Sequence, residues 1–203
     1  MMIKNKQKIE GLTLIEVLIT ILVIAIGMLG MAALQMKTLT STQESYARSQ
    51  AVAWLNDASS RIMANREFFA DDPGSFYTGQ KASGEINQWC EVGATPYEEK
   101  NTCTSGSCSG EQLAQADIDA ICMSMSSSGI QGAQAGITCN DRDIGDGDAC
   151  SAGSKLTLYA AWPQIERADS GDQLVTTARC QEVLPPGTDL DLGYSCAIVE
   201  IIP

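Results

Sequence analysis

The stretch that decides the fold is residues 12–34, which read LTLIEVLITILVIAIGMLGMAAL and contain a single charge, Glu16. At about 1.5 Å per residue, a helix of this length spans roughly 35 Å, which is enough to cross a bilayer. The preceding residues 1–11, MMIKNKQKIEG, are polar and include three lysines. Because basic residues stay on the cytoplasmic side, the rest of the chain is predicted to lie outside the inner membrane.

Three interpretations compete for this segment. It is a secretory signal peptide cut near Ala32 and Ala33, a plain signal anchor, or an anchor preceded by a short leader that is removed. Glu16 favours the third, because a carboxylate at the centre of a bilayer costs about 2.5–3.5 kcal/mol, and somewhat less near its edge. A signal peptide or anchor gains nothing from this charge. An acid inside a membrane is instead a functional group that needs a partner.

The sequence GLTLIEV at residues 11–17 resembles the class III signal of type IV prepilins. The resemblance implies that prepilin peptidase cuts between Gly11 and Leu12 and then N-methylates the new amino group of Leu12. It also implies that Glu16 pairs with the positive N-terminus of a neighbouring subunit. Such pairing fits the physics, since both charges are costly alone in lipid and tolerable together. Leu12 departs from the family, where most members have Phe, but specificity rests chiefly on Gly11, so processing is still expected.

Further stretches resemble minor pilins of the PilV type, the type IV pilus modification proteins. They are IGMLGM at residues 26–31, ALQ at 33–35, TQES at 42–45 and, more weakly, LYAAW at 158–162. The resemblance implies a minor pilin in the initiation and assembly of a type IV pilus. The implied partners are other minor and major pilins, prepilin peptidase and the inner-membrane assembly platform. The implied location is the inner membrane with a periplasmic head, then the pilus at the cell surface.

Two alternatives remain open. A pseudopilin of type II secretion shares the leader, Glu16 and the helix, although most pseudopilins are shorter and poorer in cysteine. A pilus-tip adhesin or contact module is compatible with the pilin interpretation, because loops on a rigid scaffold often bind partners. Residues 80–150, which bear no resemblance to the family, are the segment where such contacts would lie.

The predicted fold is α+β and type IV pilin-like, with a long N-terminal helix packed on a C-terminal antiparallel sheet. A stripe of apolar residues at spacings of three and four continues the helix to about Arg66 and would bury one face against the sheet. Its members are Ala47, Ala51, Trp54, Leu55, Ala58 and Ile62. Asp71-Asp72-Pro73-Gly74 is a strong turn signal that ends this region.

The predicted division is residues 1–11 for the cleaved leader, 12–35 for the membrane-spanning and polymerising helix and 36–203 for the globular head. The head comprises an amphipathic helix at 36–66, a Cys-rich connection at 67–150 and an antiparallel sheet at 151–203. Alternation and breakers predict strands at Lys155–Trp162, Gln173–Val183 and Tyr194–Ile202. A short helix is predicted at Ala114–Met123, with Leu113, Ala116, Ala120 and Ile121 sharing a face.

An even number of cysteines in a loop-rich extracytoplasmic segment predicts a disulfide framework. The eight are Cys90, Cys103, Cys108, Cys122, Cys139, Cys150, Cys180 and Cys196. Eight cysteines allow 105 pairings, so the connectivity stays open, although Cys180 and Cys196 lie on the second and third predicted strands and could bridge them. A zinc site is disfavoured because no C-x-x-C pair occurs.

Composition disfavours several other functions. The chain has no histidine, which removes Ser–His–Asp and Cys–His catalysis, so no enzymatic activity and no cofactor are predicted. A formal net charge of −12 argues against nucleic acid as a partner. One acidic loop, with Asp141, Asp143, Asp146 and Asp148, is a weak calcium candidate. A solvated turn between bridged cysteines is the favoured interpretation, because the order of the carboxylates does not match an EF-hand.

Overall fold

A computed structural model of the chain describes residues 13–67, 75–79, 81–100, 103, 107–147, 149–164, 176–190 and 193–203. The helices within them are α1 Leu14–Ala64, α2 Ser75–Thr78, α3 Gly110–Ser127 and α4 Ala178–Gln181. The strands are β1 Ile86–Glu91, β2 Gln134–Asn140, β3 Lys155–Pro163 and β4 Tyr194–Ile201. The chain divides into two compact units, of which the second, Gln43–Pro203, is called the head below.

The head is an α+β domain in which α1 packs on a four-stranded antiparallel sheet of order β1-β2-β3-β4. Strands β2 and β3 pair without interruption from Gln134 opposite Ala161 to Asn140 opposite Lys155. The pairing of β1 with β2 is irregular between Gln88 and Cys90. This architecture confirms the predicted pilin-like fold class.

One face of the sheet and the C-terminal half of α1 form the main core. The buried residues of α1 are the six predicted from the apolar stripe: Ala47, Ala51, Trp54, Leu55, Ala58 and Ile62. On β3, Leu156, Leu158, Ala160 and Trp162 face the same core. The indole N–H of Trp162 donates to both carboxylate oxygens of Glu44, 3.1 Å away in each case, so this buried ring also has its polar atom satisfied.

The opposite face of the sheet has a smaller core of its own. Tyr159 and Ala161 of β3 pack there against Cys180, Val183 and Leu184 from α4 and the residues after it. Both faces of β3 are therefore buried, as the predicted alternation of its side chains between two faces allows.

The predicted strand Gln173–Val183 is wrong over the part that the structure describes. Residues 178–181 form the helical turn α4, while 173–175 lie outside the described residues. Cys180 and Val183 are buried and three positions apart, which is a helical spacing and not the alternation of a strand. Strand β3 already has β2 and β4 as neighbours, so this segment covers the sheet instead of joining it.

The strands β1 and β2 were not predicted from the sequence. Both lie within the residues that were assigned to the Cys-rich connection. The sequence of β2, QAGITCN, does alternate, since Ala135, Ile137 and Cys139 occupy every second position and face the main core, so the period of two was a signal that could have predicted this strand. Gly136 in its middle cannot be replaced without strain, because a side chain there would meet the Asn87 carbonyl and the Tyr159 ring. In β1 the irregularity next to Trp89 places two successive residues in one core and breaks the period of two.

Helix α3 exists, but it is longer than predicted and buries a different face. Ser109 caps its N-terminus: its hydroxyl accepts from the Gln112 N–H at 3.3 Å, and the Gln112 side chain accepts from the Ser109 N–H at 3.0 Å. The buried apolar face is Ala114, Ile118, Ile121, Cys122 and Met125, whereas Leu113 is 39% exposed. The predicted turn at residues 71–74 lies outside the described residues.

Replacement of Leu158 by Ala should destabilise the head by about 2–5 kcal/mol, because the side chain is fully buried between α1 and the sheet. Leu113→Ala is the matched control, since the same truncation at a partly exposed site should change stability by less than about 0.5 kcal/mol. Thermal unfolding of the full chain in detergent measures both. Equal losses of thermal stability in the two variants would contradict the placement of the core.

Candidate functional site

The N-terminal half of α1 exposes apolar side chains on all of its sides. Its most apolar window of 18 residues has a mean hydropathy of 2.7, and none of that window is buried. Leu14, Met28 and Leu29 are 83%, 67% and 72% exposed. By length and composition, this helix can cross a membrane.

Two threonine hydroxyls of this helix are satisfied by its own backbone. The Thr20 hydroxyl donates to the Val17 carbonyl at 2.8 Å, and the Thr38 hydroxyl donates to the Leu34 carbonyl at the same distance. Such bonds allow a hydroxyl to lie in lipid without an unmet donor. Beyond the neighbouring residues and the backbone of the helix itself, nothing described lies within 4 Å of where a side chain would begin at Gly27 and Gly30, so the surface there is open to the close approach of another helix.

Glu16 is the one charge within this apolar segment and lies in the first turn of α1. Its backbone N–H donates to the Thr13 carbonyl at 3.1 Å. An acidic side chain at a helix N-terminus gains about 0.3–1 kcal/mol from the helix dipole, which is less than the roughly 2.5–3.5 kcal/mol that a carboxylate costs within a bilayer. The helix therefore does not account for Glu16, and a positively charged partner would. The predicted cleavage site, Gly11 and Leu12, lies outside the described residues.

Comparison with known proteins places a family model over this same segment. Residues 6–32 match the prokaryotic N-terminal methylation motif. No curated protein and no solved structure was found to match the chain. The motif, the apolar helix and the α+β head together support a type IV pilin-like protein, and the first two fit anchoring in a membrane.

Four disulfides join all eight cysteines of the head in the structure. The pairs are Cys90–Cys122, Cys103–Cys108, Cys139–Cys150 and Cys180–Cys196, with Cα–Cα distances of 5.8, 5.8, 6.0 and 5.8 Å. The first ties β1 to α3 and the last ties α4 to β4. Each of the other two closes a short loop, so the framework attaches the helical elements to the sheet and limits the freedom of the connection, at about 2–4 kcal/mol for each link.

A polar cluster between α1, α2 and α3 was not predicted from the sequence. Arg61 Nη1 lies 3.1 Å from Asp117 Oδ1, and the Tyr77 hydroxyl donates to Asp117 Oδ2 at 2.7 Å. Asn65 in turn donates to the Tyr77 hydroxyl at 3.2 Å. Burial raises the pKa of Tyr77 above its ordinary value, although the bond from Asn65 opposes this, so the hydroxyl stays protonated and remains a donor. Burial alone would lower the pKa of Arg61, but its bonds to Asp117 and Asp57 raise it overall.

Asp119, two residues further along α3, fixes the chain before the Cys103–Cys108 loop. Its carboxylate accepts from the Tyr97 hydroxyl at 2.8 Å, the Lys100 N–H at 3.0 Å and the Gln115 amide at 2.8 Å. Burial and the bond to Asp119 both raise the pKa of Tyr97. The two buried aspartates of α3 therefore act in packing. Their only signal in the sequence is the placement of two acids among the apolar residues of the short stretch ADIDAI.

The acidic loop is closed by the Cys139–Cys150 disulfide and organised by Asp141. One oxygen of this carboxylate accepts from the Ser151 N–H at 2.9 Å, the Ser151 hydroxyl at 2.6 Å and the Ser154 hydroxyl at 3.0 Å. Asp143 accepts from the Gly145 N–H at 3.2 Å, and Asp148 lies outside the described residues. Within the described part of the chain, no group of three acidic, Cys or His residues is placed to hold a metal ion.

The bonds from Ser151 lower the pKa of Asp141 to about 2. Since the pKa of an unfolded Asp is about 3.9, the stability that Asp141 contributes is fully present above about pH 4 and is lost as the pH falls towards 2. We therefore expect Asp141→Asn to lower the melting temperature at pH 7 and to differ less from the wild type at pH 2. Asp143→Asn, in the same loop, is the control and should have the smaller effect at pH 7. A difference between Asp141→Asn and wild type that is constant across this pH range would contradict the assignment.

Proposed function

We propose that the protein is a minor pilin that acts in the initiation and assembly of a type IV pilus. In this proposal prepilin peptidase removes residues 1–11 after Gly11 and methylates the amino group of Leu12. The observation that supports it most is Glu16, a single carboxylate in the first turn of an exposed apolar helix. The match of residues 6–32 to the N-terminal methylation motif supports the same processing.

The chemistry of assembly follows from the charges. Cleavage leaves a positive amino group at Leu12, four residues before Glu16 and next to the lipid-exposed part of α1. Neither the amine nor the carboxylate is stable alone in lipid, and their pairing between neighbouring subunits removes both penalties at once. Because Glu16 has a fixed place on α1, this pairing also sets the axial offset between one subunit and the next. The remaining apolar side chains of α1 then pack against other subunits instead of lipid.

The head suits a subunit that passes from the membrane to the cell surface. Its four disulfides are stable in the oxidising space outside the inner membrane. Its partners in this proposal are other minor and major pilins and the inner-membrane assembly platform. A pseudopilin in a type II secretion system would share the helix and Glu16, and it is the alternative that the experiment must separate.

One observation also favours a contact role for the head. Ile144 is 83% exposed in the loop closed by the Cys139–Cys150 disulfide, which Asp141 holds from within. A large apolar side chain on a rigid, exposed loop is typical of a contact residue. A place at the pilus tip would use this loop and is compatible with the assembly function.

The test is a host strain that lacks this chain and is supplied with the wild type or with Glu16→Gln, which keeps the shape of the side chain and removes its charge. Surface pili are counted by electron microscopy, secreted proteins are quantified in the same cultures, and the size of the chain reports cleavage. We expect the deletion to lose pili and to keep secretion, and the wild-type chain to restore the pili. Glu16→Gln should be cleaved normally but absent from sheared filaments, by at least about tenfold, because the amine then has no charged partner.

If the deletion abolished secretion and left the pili unchanged, the chain would be a pseudopilin and not a minor pilin. Normal levels of Glu16→Gln in filaments would exclude the pairing of Glu16 with the N-terminal amine.

A further inference from the structure

The two edges of the sheet differ in how they are protected. The pairing of β1 with β2 is interrupted between Gln88 and Cys90. Helix α2 packs on β1 through the side chains of β1, since the Tyr77 carbonyl accepts from the Asn87 amide at 2.8 Å and from the Trp89 indole at 2.9 Å. A bulge is a common means by which proteins prevent an edge strand from pairing with another chain.

Strand β4 has no such irregularity among the described residues. It pairs with β3 without interruption from Leu156 opposite Ile201 to Pro163 opposite Tyr194, and no other described strand pairs with it. Its sequence YSCAIVEI contains no lysine and no proline, and its only charge is Glu200. Most of its side chains are half-buried, on both faces of the sheet.

The hydrogen bonds beside β4 show which of its backbone groups point outward. The Gln164 N–H donates to the Gly193 carbonyl at 2.9 Å, so Gly193 points towards β3. In an antiparallel pair such positions alternate, which directs Tyr194, Cys196, Ile198 and Glu200 away from β3. The Tyr194 N–H confirms this direction, because it donates to the Thr176 hydroxyl at 2.8 Å.

The next three outward residues, Cys196, Ile198 and Glu200, make no backbone hydrogen bond with any described residue outside the sheet. They present three N–H and three carbonyl groups that repeat at about 6.8 Å, twice the rise of an antiparallel strand. The chemical group that matches such a row is another extended backbone.

We propose that the outer edge of β4 binds an extended segment of a second polypeptide, which adds a fifth strand to the sheet. The segment is apolar at alternate positions, because Ile198, Val199 and Ile201 flank the edge and are incompletely buried. It lacks acidic residues, because the chain has a net charge of −12. Glu200 on β4 is already paired, since its carboxylate lies 3.4 Å from Lys155 Nζ and 3.5 Å from Arg179 Nη2. The same net charge disfavours a second copy of this chain as the occupant. The inference goes beyond the proposed function and holds for either kind of filament.

The test is residue-resolved hydrogen exchange on the full chain, first alone in dilute detergent solution and then in its assembled fraction from the host, either sheared filaments or the extracted membrane complex. In the chain alone, the amides of Ala197 and Val199, bonded to β3, should exchange slowly, and those of Cys196, Ile198 and Glu200 should exchange fast. In the assembled fraction these three amides should slow by at least about 100-fold, because each then has a partner.

Three results would overturn the proposal. Slow exchange of the outward amides in the dilute chain alone would mean that the chain covers its own edge. Slow exchange that appears only when the chain alone is concentrated would identify a second copy as the occupant. Fast exchange in the assembled fraction would mean that the edge is not used.

A pair of variants at Ile198 gives a second measurement. Ile198→Pro removes an outward N–H without removing a bond to β3, whereas Ile198→Thr keeps the N–H and a branched side chain. We expect the amount of chain in the assembled fraction to fall at least tenfold for the proline variant and to be unchanged for the threonine variant, with thermal unfolding near that of the wild type in both. Equal recovery of both would overturn the proposal.

If the proline variant does not fold, the exchange of the wild-type chain decides. Pili that depend on this chain while the outward amides stay fast would refute the edge proposal and leave the pilin function standing. Slow outward amides in a strain whose pili do not need this chain would support the edge proposal and refute the pilin function.

Discussion

Helix α1 has to satisfy two environments with one continuous backbone, and the rest of the structure follows from that constraint. From Leu14 to Leu34 its side chains are apolar on every side and exposed, so that only lipid or other apolar helices can cover them. From Ala47 to Ile62 only one stripe is apolar, and the sheet covers it. Glu16 is the exception within the first part, and the pairing proposed for it would supply the positive group that offsets the cost of its charge.

The head is built to hold its shape with few aromatic residues. Its core is mostly aliphatic and Ala side chains between α1 and one face of the sheet, while α4 and the segment after it cover the other face. Disulfides attach α3 and α4 to the strands, and the buried acids of α3 bind α1, α2 and the segment before the Cys103–Cys108 loop. The two edges of the sheet also differ, since the pairing of β1 is irregular and that of β4 is not, and this regular edge is what makes β4 a candidate for contact with another protein.

The sequence was most informative where a period repeats over many residues. The stripe on α1 has several turns of helical spacing, and every predicted member is buried; β3 alternates between two faces that are both filled. Prediction failed where tertiary contacts override the local pattern. Strand β1 is interrupted beside Trp89, and the segment around Cys180 packs on the sheet as a helical turn instead of joining it as a strand. Strand β2 is the exception, because its alternating apolar residues are visible in the sequence. The partners of Asp117 and Asp119 come from distant segments, so no local pattern could reveal them.

The central claim is that the apolar helix remains part of the mature protein and begins at Leu12. Mass spectrometry of the N-terminal peptide, from chain recovered in sheared filaments, tests it most directly. The account predicts a peptide that starts at Leu12 with one methyl group on its amine. A chain that begins at Met1, or that starts beyond Ala33 after removal of the whole apolar segment, would contradict it, because neither could place a charged amine beside Glu16 of a neighbouring subunit.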